Sequence, residues 1–117
     1  GAPMVNDTPA ASDDRSNDTW RDVASPQAQA DLRRIALWIA NDNPRRAISF
    51  VDELRHAAQA LAGLPHGYPL IPRYEQQGIR RRSYRRYVIL YAVRIDRIIV
   101  LRFLEPGRDL DRALGLR

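Results

Sequence analysis

The apolar residues of this chain change their period once, from helical to alternating, and that change restricts the fold to a pair of helices followed by a sheet. Ala28, Leu32, Ile35, Ala36 and Ile39 recur three and four apart, drawing one stripe along a helix, while Arg33, Arg34 and Asn41 lie off it. Ser25 and Pro26 open this helix as an N-cap and the residue best tolerated in a first turn. After a stop near Asp42, Asn43 and Pro44 repeat the signal, and Ala47, Val51, Leu54, Ala58 and Leu61 form a second stripe ending before Gly63. The short link forces the helices into an antiparallel hairpin whose stripes share a third surface.

A sheet supplies that surface. Beyond a loop over residues 64–77, punctuated by Pro65, Pro69 and Pro72, the segments Ile79–Tyr84, Tyr87–Arg94 and Arg97–Leu104 are rich in Ile, Val, Leu and Tyr. Ile95 and Asp96 supply a tight turn, so these strands predict an antiparallel meander. A further strand is expected at Thr19–Ala24. The class is therefore α+β: an N-terminal strand, then a two-helix antiparallel hairpin packed on an antiparallel β-sheet. Along the middle strand Tyr87, Ile89, Tyr91 and Val93 alternate with Val88, Leu90 and Ala92, so both faces are apolar and both need cover. Two helices shield one face, which leaves the other for a partner or for the chain's own tail.

Residues 1–18 carry hardly any bulky apolar side chain and are expected as a flexible tail. Gly1, Ala2 and Pro3 ahead of Met4 read as an expression scar. Residues 19–117 are expected as one domain, closing in a mobile segment with one helical turn around Leu110 and Leu114. No run of about 18 apolar residues and no basic-then-apolar leader occurs, which points to a cytoplasmic protein away from membranes. Cysteine is absent, excluding disulfides and thiolate metal sites. His56 and His66 lack neighbours at ligand spacing, so neither metal nor cofactor is expected.

Charge is the clearest functional signal. All 19 basic residues are arginine, and against 14 acids the net charge is +5, so the partners should be anionic. A genome rich in G and C would account for arginine in place of lysine but not for its clustering. Five arginines and two tyrosines crowd into residues 80–87. Arg80, Arg81, Arg82, Arg85 and Arg86, joined by Arg102 and Arg108, are the candidate target-facing rim, where guanidiniums grip phosphates and rings stack on bases. Alternation sets Arg80 and Arg82 on one face and Arg81 on the other.

Several motifs together resemble the RelE/ParE superfamily of toxins, in its ParE-like branch, over nearly all of residues 20–110. They are Asp31-Leu32, the hinge Ile39–Pro44, the segment Phe50–Leu54, the strand Arg86–Tyr91 and the closing Gly107-Arg108-Asp109. The resemblance implies the toxin of a type II toxin–antitoxin system, bound by a cognate antitoxin, of the ribbon-helix-helix type, whose C-terminal segment wraps it. Leu32, Trp38, Leu54 and Leu90 are the candidate antitoxin contacts. RelE-like members cut messenger RNA on the ribosome; ParE-like members inhibit DNA gyrase without a known catalytic set. Arg81 and Arg108 match two basic positions of the RelE-like pattern, but Val88 follows Tyr87, Leu114 stands in the tail position, and there is no lysine. Arginine is a poor proton acceptor, so DNA gyrase is the expected target and ribosome-dependent RNA cleavage the alternative. Where many relatives carry His-Gly-Ala-Arg-Asp, this sequence reads Glu105-Pro106-Gly107-Arg108-Asp109.

Overall fold

Two capped helices set the frame. In this computed structural model, which describes Trp20, residues 23–105 and residues 107–115, helix α1 runs Pro26–Ala40 and helix α2 runs Pro44–Gln59. The Ser25 hydroxyl accepts from the Ala28 amide and the Asn43 side chain from that of Arg46, caps worth about 1 kcal/mol each. A 3-10 turn, Ala60–Gly63, ends α2 at the glycine the sequence marks as a stop. Strands β1 (Ile79–Tyr84), β2 (Tyr87–Val93) and β3 (Ile98–Leu104) form an antiparallel sheet in the order β1-β2-β3. A last helical turn, α3, covers Leu110–Ala113.

The N-terminal strand differs from expectation. Trp20 and Val23 are helical, the Ala24 amide donates to the Trp20 carbonyl at 2.9 Å, and among the described residues of this segment Ala24 alone pairs, by a parallel bridge to Val100. Trp20 turns inward on this helical turn, with its ring centroid 6.0 Å from that of Phe103. Local i to i−4 bonding between Ala24 and Trp20 thus takes the place of strand pairing at Trp20. Thr19, Arg21, Asp22 and the whole expected tail over 1–18 lie outside the described residues.

Strand β2 is buried along nearly its whole length because both faces are covered. Toward the helices, Tyr87, Ile89 and Tyr91 join Leu32, Ile35, Phe50 and Leu54 in the larger core. On the opposite face Val88 and Leu90 meet Ile71 and Tyr74 from the proline loop, with Leu110, Ala113 and Leu114 alongside. The chain itself therefore covers the second face, with its loop and its C-terminal turn. The segment expected as a mobile tail is held in place: the Arg102 Nη1 donates to the Ala113 carbonyl at 2.7 Å, and Arg73 pairs with Asp111 at 2.7 Å.

A shift of register between Leu90 and Tyr91 gives β3 one extra residue, since Leu90 pairs with Arg102 and Tyr91 with Val100. A bulge of this kind resets the alternation, so Val100 and Phe103, three apart, both face the helices. It also turns Arg102 toward Asp31, which is only 4% exposed. Asp31 accepts from Arg102 Nε at 2.7 Å, Arg102 Nη2 at 3.0 Å and the Phe103 amide at 3.0 Å. Arg34 adds a longer contact at 3.4 Å. Hydrogen bonding to Asp31 raises the Arg102 pKa above its already high value, outweighing desolvation.

Removing Asp31 leaves the part-buried Arg102 guanidinium without its counterion and the buried Phe103 amide without its acceptor. Asp31→Ala is expected to lower the unfolding free energy by about 3–5 kcal/mol. Asp31→Leu combined with Arg102→Met should be more stable than either single variant in urea denaturation. A loss under about 1 kcal/mol for Asp31→Ala would reduce the pair to an ordinary surface contact.

Candidate anion-binding rim and its pocket

The arginine run folds into β1 and the two-residue turn to β2, in which Arg85 has φ 54°. That left-handed conformation costs a non-glycine residue about 1 kcal/mol, and a network on α2 holds it. Glu53 takes Arg46 on one oxygen, at 2.5 Å, and on the other both the Tyr84 hydroxyl at 3.0 Å and Arg85 Nε at 3.2 Å. Arg46 also lies over the Phe50 ring, 4.9 Å from its centroid. The Arg46 hydrogen bond, then that from Tyr84 and the charges of Arg46 and Arg85, hold the Glu53 pKa below its ordinary value against desolvation. Interaction with Tyr84 and Glu53 raises that of Arg85 in turn.

The seven expected rim arginines divide by where their side chains go. Arg80 and Arg82 share the helix side of β1, opposite Tyr91 and Ile89, and turn inward. Arg80 Nη1 donates to the Tyr68 carbonyl at 2.6 Å; Arg82 Nη1 donates to the Ala57 carbonyl at 2.6 Å, at the negative end of α2. Arg82 also stacks over Tyr68, 5.2 Å from its centroid. Arg102 belongs to the buried ion pair and lies away from the rim. Arg81, Arg85, Arg86 and Arg108 are exposed, and among the described residues no carboxylate lies in ion-pair range of Arg81, Arg86 or Arg108.

Arg86 and Arg108 meet at the hairpin end of the sheet. With Arg34, Trp38, Tyr87 and Glu105 they line a pocket of about 320 Å³ between α1, the β1–β2 turn and the segment after β3. Arg34 bridges to Glu105 at 3.1 Å, so the carboxylate that lines the pocket is matched by a guanidinium from α1. Burial, with the Glu105 charge next, raises the Tyr87 pKa, and burial raises that of Tyr91, whose hydroxyl donates to the Pro65 carbonyl. Both phenols stay protonated at neutral pH. The site is suited to holding an anion; a proton acceptor tuned to neutral pH is not among its arginines and phenols.

The four expected antitoxin contacts also divide. Leu32, Leu54 and Leu90 are core residues, 3%, 0% and 0% exposed, and Leu32 also lines a pocket with Trp20, Arg33 and Arg55. The helical stripes of Leu32 and Leu54 pack against the sheet, and Leu90 lies on the sheet's opposite face beside Ile71 and Tyr74, so the periodicity that identified them also buries them. Trp38 is 67% exposed. Leu37 and Ile48, off the stripes and therefore overlooked, are 74% and 70% exposed on the outer side of the helix hairpin. An apolar residue outside the core stripe was the signal available for both. Arg34 and Glu105 were likewise overlooked, since only the fold brings them together from 71 residues apart.

His56 and His66 are exposed. Among the described residues no three His, Cys, Asp or Glu side chains are grouped to hold a metal ion. Among them also, no helix is long and apolar enough to cross a membrane.

A two-helix hairpin on an antiparallel sheet, with guanidiniums at one end, is the arrangement of a RelE/ParE-like toxin. The family described as ParE toxin of type II toxin–antitoxin system, parDE, matches residues 23–110, and the chain belongs to this family. Its membership makes it a type II toxin and implies a cognate antitoxin. No curated protein matches the chain.

The Glu53 network carries a pH dependence. Because its folded pKa is lowered, its contribution is present above the unfolded pKa, near 4.5, and is lost as pH falls through the lower folded value. In an NMR titration the Glu53 carboxyl should have a midpoint below 4.5, and Arg46→Met should move it upward. A midpoint unchanged in that variant would mean that Arg46 does not hold the carboxylate.

Proposed function

We propose that this toxin arrests growth in the cytoplasm by gripping an anionic surface of DNA gyrase, or of the DNA that gyrase carries, and that a ribbon-helix-helix antitoxin neutralises it. The observation that carries the target half is the set of outward guanidiniums, Arg81, Arg86 and Arg108, without ion-pair partners among the described residues. Uncompensated arginines steer association with an anion and hold it, and they do so without proton transfer. Family membership supports the antitoxin half, and the outer side of the helix hairpin offers it a seat at Leu37 and Ile48. Large exposed apolar side chains on a charged domain mark a contact surface.

Purified protein should inhibit gyrase supercoiling and leave ribosome-bound transcripts intact when the two assays run side by side. Transcript cutting in the ribosomal A site by nuclease-free material would replace this reading with the endoribonuclease one. Arg81→Ala, Arg86→Ala and Arg108→Ala together should raise the amount needed for half-inhibition by about a thousandfold, the three lost charged contacts being worth roughly 1.5 kcal/mol each. Leu37→Ser with Ile48→Ser should weaken antitoxin binding and leave supercoiling inhibition unaltered. Equal loss of both properties in either variant would mean that one surface serves both partners.

A further inference from the structure

We propose that the pocket at the hairpin end of the sheet binds one nucleotide of single-stranded nucleic acid, with its base on the indole of Trp38 and its flanking phosphates on Arg86 and Arg108. The inference rests on the reading that the rim meets an anion, and it names that anion's class. Trp38 is the first observation. It is 67% exposed, whereas Ile35 on the same helix is buried, so a broad π-face is offered to the pocket mouth. Stacking of a base on such a ring is favourable and tolerant of sequence.

Charge is the second observation. Arg34 is matched by Glu105 at 3.1 Å and by Asp31 at 3.4 Å, so the carboxylate of the pocket is already paired. Arg86 and Arg108 remain without ion-pair partners among the described residues, two positive charges for the two phosphates that flank a nucleotide in a strand. Size is the third. A volume of about 320 Å³ lies at the small end of ligand pockets, room for one nucleotide but not for a duplex or a helix. A base inside a duplex is stacked on its neighbours and cannot lie on Trp38 unless it is extruded, which selects the single strand. An acidic peptide would satisfy the guanidiniums but bring no planar partner for the ring.

The chain has two tryptophans, and Trp20 is only 4% exposed, so contact quenching by an added ligand reports mainly on Trp38 at the pocket. The intact chain is titrated with a 5′-phosphorylated oligodeoxythymidylate of eight nucleotides, with the matching duplex and with a polyglutamate peptide. The single strand should quench the exposed tryptophan, and the duplex should quench far less. Read by the anisotropy of a fluorescein-labelled oligonucleotide, Trp38→Ala should weaken binding on the order of tenfold, while Trp38→Tyr retains most of it. Arg86→Gln with Arg108→Gln should flatten the slope of log affinity against log salt by about 1.4, at roughly 0.7 per phosphate. Circular dichroism of each variant checks that it is folded.

Wild-type affinity in Trp38→Ala overturns the proposal, and so does quenching by the duplex equal to that by the single strand. Quenching by polyglutamate alone overturns it in favour of a protein segment. The supercoiling assay separates this from the broader reading. Gyrase inhibition without oligonucleotide binding removes the pocket assignment and leaves the toxin's target standing; binding without effect on gyrase does the reverse.

Discussion

Asp31 is the carboxylate on which the arrangement of the layers depends. It sits on α1, 4% exposed, and draws together Arg102 and the amide of Phe103 from a strand 71 residues away in sequence. Without it, the bulge in β3 would leave a strand amide and a guanidinium facing an apolar interface, each costly to bury unpaired. Arg102 passes the constraint on, because its remaining nitrogen holds the Ala113 carbonyl and with it the C-terminal turn. One ion pair therefore fixes the helix layer, the register of the last strand and the cover of the sheet's opposite face. The geometry explains why an ion pair is tolerated here: every strong contact is charge-assisted and aimed at a separate lone pair.

A second carboxylate organises the other end of the sheet. Glu53 ties the β1–β2 turn to α2 through Arg85 and Tyr84, which steadies a backbone conformation that arginine seldom adopts. Arginines in this fold have two occupations. Arg80, Arg82 and Arg102 close hydrogen bonds within the chain, and Arg81, Arg86 and Arg108 face outward. Dense arginine along β1 is thus partly structural, and the working charge is smaller and more localised than composition suggests. That localisation allows the pocket beside Trp38 to be selective where a uniformly basic face would attract any polyanion.

Much of this was legible in the sequence, for reasons that are local. Ser25-Pro26 and Asn43-Pro44 act through neighbours three residues on, so both helix starts could be read directly. The two-residue turns at Arg85-Arg86 and Ile95-Asp96 follow from strand spacing, and Val93 pairs with Ile98 across the latter. The motifs that carried the family resemblance turn out to be largely structural: Asp31 in the ion pair, Asn43 in a cap, Glu53 in the turn network, and Asp109 as the cap of α3. What was not legible depends on long-range geometry. The bulge at Leu101 inverts which residues of β3 face the helices, and no alternation pattern announces it. Arg102 was assigned to the rim because charge on a strand suggests solvent, whereas its partner lies on another element. Leu32, Leu54 and Leu90 were offered to a partner because periodicity identifies an apolar stripe without saying what will lie against it.

The borders of the sheet have a consequence for recognition. Along the free side of β1 the Ile71 amide donates to the Ile79 carbonyl, and the Arg81 amide to the carbonyl of Pro69. Along the free side of β3 the Ser25 amide and hydroxyl reach the Val100 and Leu101 carbonyls, while Phe103 donates to Asp31. An extended peptide seeking to lengthen this sheet would first have to evict a proline-rich loop on one flank, or the beginning of a helix on the other. Where these bonds lie, other molecules meet side chains, and the main chain is kept out of the kind of edge-to-edge pairing that leads to fibres.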